Sequence, residues 1–191
     1  ASPCAARVED EAVAQLSAAA AGGRVALLTH HQLASGGAHG SRGADWRANL
    51  FPLRDVHANL WVPVPLLGSL WVAYREAVGT GQDLSSRRYR RLLADLARAL
   101  DAHPALFQAS GHDHNIQVLE APVPAARWVL VTGSGIWPKG AAVVRRPSTR
   151  YASERAGFLR VELGRGGTPR LVALEATAAG GSAERFRTDL R

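Results

Sequence analysis

Two short apolar segments, each opening into a histidine-bearing glycine loop, constrain this 191-residue chain more than any other feature. Val25–Thr29 runs straight into His30-His31, and Ala105–Ala109 delivers the chain to Gly111-His112-Asp113-His114. Continuously apolar runs of this length are the pattern of strands buried in a sheet. In open α/β sheets the loops beyond the carboxyl ends of such strands converge, and ligands bind there. A histidine pair at i and i+2 after a glycine can turn both imidazoles toward one centre, and neutral imidazole suits Zn, Fe and Mn.

The remaining pattern fills in an α/β fold. Glu9–Ala21 reads as a helix, with acidic residues in its first turn and Gly22-Gly23 at its end. Ser85 or Ser86 caps a second helix whose apolar face is Leu92, Leu93, Leu96 and Leu100, running up to Pro104. Strands are predicted at Ile116–Glu120, Trp128–Thr132, Phe158–Leu163 and Arg170–Glu175, with Gly164–Gly167 turning the last pair into a hairpin. These strands are expected to form one mixed sheet with both helices on its outer face and some apolar sheet surface exposed. Residues 41–82 read as an apolar, Trp-rich insertion. Pro63 and Pro65 argue against a regular helix through Leu60–Tyr74, and Trp61, Trp71 and Tyr74 suit a membrane-surface or partner contact. The small, polar stretch after Ala176 is expected to fray, leaving 179–191 as a tail.

Composition narrows the functional classes. One cysteine, Cys4, excludes a disulfide framework and a cysteine zinc cluster. A net charge of +7 invites nucleic-acid binding, but all the basic residues except Lys139 are arginine and they are scattered. Arg87–Arg91 is the single dense run and reads as a solvated helix start, so nucleic acid is not the expected partner. No secretory signal pattern opens the chain, and there is no methionine.

Val25–Gly40, with His30 at the end of an apolar strand and a Ser/Gly-rich loop after it, resembles the fourth motif of calcineurin-like metallophosphoesterases of purple-acid-phosphatase type. Gly111-His-Asp-His114 resembles the family's fifth motif, Gly-His-x-His, and the two stand in family order. Ser134-Gly135 and Ala156–Arg160 resemble the strand-loop-strand that closes these domains. Gln32 departs from the pattern, standing where the family has proline.

The resemblance implies a four-layer α/β/β/α sandwich and a phosphoester hydrolase with two metal ions (Fe, Zn or Mn). His30 and His112 would bind one ion and His114 the other, while His39 would contact the phosphate and protonate the leaving group. Asp113 would orient a neighbouring ligand or face solvent, and His31 would be a packing or loop hydrogen-bonding residue. The family's three upstream carboxylate motifs do not occur before His30. The expectation is therefore that residues 1–178 are the C-terminal portion of one such domain and that its N-terminal half is a partner, the fragment alone being inactive. The alternative is a non-catalytic phosphoesterase-like module that binds a partner through the insertion.

Overall fold

The computed structural model describes residues 3–40, 46–55, 59–135, 141–165 and 167–191. His57, read from the sequence as an ordinary histidine, lies outside them. The elements in chain order are α1 (Pro3–Gly22), β1 (Ala26–Leu28), α2 (Trp46–Leu50), a 3-10 turn (Pro52–Asp55), α3 (Pro65–Ala77) and α4 (Arg87–Ala99). Strands follow: β2 (Ala105–Ser110), β3 (Ile116–Val123), β4 (Ala126–Thr132), β5 (Thr149–Ser153), β6 (Gly157–Glu162), β7 (Arg170–Ala176) and β8 (Ser182–Asp189).

The expected mixed sheet is present, and there are two sheets rather than one. The first has order β1-β2-β4-β3-β5, with β1, β2 and β4 parallel and β3 antiparallel to both of its neighbours. The second is an antiparallel β6-β7-β8 sheet. Alternation along β4 explains the layering. Val129 and Val131 face a core shared with Leu93 and Leu96 of α4 and Val13 and Leu16 of α1. Trp128 and Leu130 face Leu171 of β7, Leu190, and Phe186 of β8. The order of layers is thus helices, mixed sheet, antiparallel sheet.

Three local readings change. The stretch after Ala176 forms β8, because Gly180 and Gly181, both at positive φ, turn the chain back so that Phe186 reaches the core. Pro65 starts helix α3 instead of preventing it, since the first helical position needs no amide hydrogen. Gly68 lets that helix lie against α2: a Cβ there would sit 2.0 Å from the Asn49 carbonyl oxygen. The third change is at β1, which lies at an edge of its sheet, so Leu27 packs inward while Leu28 is 74% exposed.

Candidate functional site

Parallel pairing sets Leu28 of β1 beside Ala109 of β2, and the ladder continues with the Thr29 amide donating to the Ala109 carbonyl at 3.0 Å. His30 and the Gly111–His114 loop therefore leave the sheet at the same end. The loop from Gln32 to Gly37 is buried although it has no regular secondary structure, and its polar groups must find protein partners. Three side chains of β2, β3 and the turn between them supply partners. Gln108 accepts from the Leu33 amide at 3.2 Å and donates to Thr29 Oγ1 at 2.6 Å. Gln117 accepts from the Gly36 amide at 2.7 Å and donates to Ser35 Oγ and to Asn115 Oδ1. Asp113 accepts from Gln32 Nε2 at 2.8 Å, from Ser35 Oγ, and from the His39 amide at 3.3 Å. Asp113 is 1% exposed, which removes the solvent-facing reading and makes it the anchor of the opposite loop. Gly37 is required beside it: a Cβ would lie 2.5 Å from Asp113 Oδ2.

This scaffold gathers four imidazoles. Ring centroids of His30 and His112 are 5.1 Å apart, those of His31 and His112 4.1 Å, those of His30 and His31 4.8 Å, and those of His39 and His112 4.4 Å. Ligand nitrogens of His30, His31 and His112 all lie within 4.8 Å of one another. His30, His112 and His39 are thus brought together from both loops, whereas the resemblance implies His30, His112 and His114 with His39 beside them. His114 is exposed and is not a member of the trio of ligand nitrogens, whereas His31, read as a packing or loop residue, is. The adjacent histidines carried a signal for this that the resemblance overrode.

His112 is the strained member. Its φ of 55° lies in the left-handed region, uncommon for residues other than glycine, and its Nε2 is buried with no hydrogen-bond partner among the described residues. Burial, together with His39 and His31, pushes its pKa down to about 4, against the opposing pull of Asp113. Burial and the neighbouring His30 and His39 lower that of His31 as well. An orphaned buried nitrogen within a cluster of imidazoles, two of which have lowered pKa values, is the donor set a transition metal requires. The residues fit a metal.

His39 has a different partner. Its Nδ1 is 3.2 Å from Asp83 Oδ1, and Asp83 is gripped by the buried Arg75 guanidinium, with Nε at 2.8 Å, and by the amide and hydroxyl of Thr80. Burial works against the Asp83 charge, but the bonds from His39, Arg75 and Thr80 outweigh it and hold the carboxyl well below its usual range. A carboxylate only accepts, so His39 Nδ1 carries the proton and Nε2 is left for another partner. A cleft of about 230 Å³ opens here, lined by His39, Arg75, Glu76, Asp83 and Arg146. Arg75 and Asp83 were not found by sequence reading. A buried Arg–Asp pair eight residues apart has no motif, and Arg75 lies within the stretch read as an apolar insertion.

No family model matches the chain, and no curated protein matches it. Among solved structures it is similar to a chain described as GAP50, the anchor in the inner membrane complex of Plasmodium. The two are 21% identical, with a TM-score of 0.40, over 55% of this chain and 30% of that one. At that identity and score the likeness assigns neither family nor function.

Proposed function

We propose that the chain forms part of a metal-dependent phosphoester hydrolase, with the helix, mixed-sheet and antiparallel-sheet layers belonging to a four-layer α/β/β/α sandwich. The observation that carries this reading is the meeting of His30, His39 and His112 at one end of the mixed sheet, from loops about eighty residues apart in sequence. A metal bound there would polarise a phosphoryl oxygen and lower the pKa of a bound water. The two-metal form of this reading, in which His30 and His112 serve one ion and His114 the other, gains no support from the structure, where His114 is exposed and outside the cluster of His30, His31 and His112. His39 sits beside His112 with Nδ1 held by Asp83, which directs Nε2 to the phosphate or to the leaving oxygen. A proton delivered to that oxygen from a positioned imidazole accelerates bond cleavage by roughly 10²–10⁴-fold. The neighbouring cleft with Arg146 receives the leaving group. The test is aryl phosphate hydrolysis by the full-length protein with added Zn or Mn. His112→Ala abolishes turnover and metal content together, while His39→Ala keeps the metal and loses turnover within the range above. Turnover indifferent to His112→Ala contradicts the reading.

A second reading, a partner- or membrane-surface module, is favoured by α3. Leu66, Leu67 and Leu70 are 82%, 63% and 68% exposed, beside the stacked pair of Trp71 and Tyr74. No helix among the described residues is long and apolar enough to cross a membrane. Co-sedimentation with anionic vesicles that is lost in Leu66→Ser/Leu70→Ser supports this reading, and no co-sedimentation of the native protein rejects its membrane form.

A further inference from the structure

We propose that His31 is a metal ligand, completing with His30 and His112 an all-imidazole site for a single Zn-class ion, with His114 outside it. The assignment deepens the reading above and rests on its premise that these two loops hold a metal, but not on phosphoester chemistry.

Three observations carry it. The ligand nitrogens of these three residues already lie within 4.8 Å of one another. Ligands at about 2.1 Å around a tetrahedral ion stand about 3.4 Å apart. The closing movement is therefore roughly 1.4 Å at most, and exposed His30 has room to make it. Second, the His31 backbone is fixed where the ring needs it: its carbonyl accepts from Thr29 Oγ1 at 2.5 Å and from Gln108 Nε2 at 3.3 Å. Its ring lies between His112 at 4.1 Å and Tyr89 at 5.6 Å. Tyr89 is itself tied to the loop through the Gln32 carbonyl at 2.5 Å. Third, the buried Nε2 of His112 has no partner among the described residues, an arrangement that costs free energy unless something accepts its lone pair.

The donor set also says which ion. The two nearby buried carboxylates are committed elsewhere, Asp113 to Gln32 and Ser35 and Asp83 to Arg75 and Thr80. Three neutral imidazoles without a carboxylate suit Zn, Ni or Cu and suit Mg and Ca poorly. Three protein ligands with one side toward solvent leave a coordination position for water or substrate, the arrangement of a catalytic site rather than a closed structural one.

The experiment is zinc binding to the chain, followed by calorimetry and by imidazole ¹H–¹⁵N spectra. The expected result is one zinc per chain, preferred over Mg, with ring nitrogens of His30, His31 and His112 shifting and His114 unmoved. Replacing even an outlying partner of a ligand weakens binding about 10–100-fold, so His31→Gln and His112→Gln should each cost at least about tenfold. His114→Ala should change affinity less than about twofold. The spectra of the native chain decide the matter even if His31→Gln folds poorly. A His114 shift without a His31 shift, native-like affinity in folded His31→Gln, or no zinc binding overturns the assignment. Zinc bound as described without aryl phosphate turnover in the full-length protein would instead leave this site intact and remove the phosphoester reading.

Discussion

The loop Gln32–Gly37 and the segment Trp46–Val78 invert the usual relation between regularity and burial. The loop has no helix or strand, yet every residue in it is buried, because Gln108, Asp113 and Gln117 hydrogen-bond Gln32, Leu33, Ser35 and Gly36, with Gln32 Oε1 left without a partner among the described residues. The segment is largely helical, yet Trp46, Trp61, Leu66, Leu67, Leu70 and Tyr74 remain exposed on it. A loop is held by specific polar partners, and each partner fixes a position. An apolar helical face is fixed only where it finds something to cover it. The difference teaches where precision lies in this molecule: the histidines stand on the polar scaffold, while the apolar segment reaches the site through Arg75, which grips Asp83.

That junction is where the contrast breaks most easily. Asp83→Asn removes the carboxylate that the buried Arg75 guanidinium grips, and loss of one member of a buried pair costs about 3–5 kcal/mol. Urea unfolding measures this, and under the proposed phosphoester reading the same variant should also lower turnover by freeing the His39 ring. The pH dependence has a defined sign. The folded-state pKa of Asp83 lies below its ordinary 3.8, so the native state binds fewer protons, and the contribution is complete above about pH 4 and lost as pH falls further. Asp83→Asn should flatten that acid limb. Gly37→Ala probes the scaffold itself: its methyl group would be forced into the Asp113 carboxylate, an overpacking that costs about 1–3 kcal/mol in the same assay. The smallest effect is expected on the other side of the comparison. Leu66→Ser/Leu70→Ser touches only exposed side chains, and each change should stay within about 0.5 kcal/mol. A larger loss would mean that the α3 face is covered in solution.

Legibility in the sequence followed the same division. Short apolar runs ending in histidine located β1, β2 and the site end of the sheet, and Leu92, Leu93, Leu96 and Leu100 located α4, because strands and amphipathic helices repeat with periods that sequence displays. Ser86 does cap that helix, accepting from the Tyr89 amide. What stayed hidden depended on distant partners. Pro65 looked like a helix breaker because its role depends on whether it falls first or later in the helix, which the sequence pattern does not mark. The polar 182–189 stretch looked frayed because an edge strand needs only a few inward residues, here Phe186, to pair. Asp83 carried no pattern at all, and Asp113 was left between orienting a neighbour and facing solvent, since each binds residues brought near by the fold. His31 was passed over because the resemblance placed the ligands on His30, His112 and His114.

The most direct test of the central claim, that this end of the sheet is a metal centre, is anomalous diffraction at the zinc absorption edge from crystals of the zinc-treated protein. The account predicts a peak about 2.0–2.2 Å from nitrogens of His30, His31 and His112. A peak that contacts His114 but neither His31 nor His112, or no peak at this cluster, would contradict it.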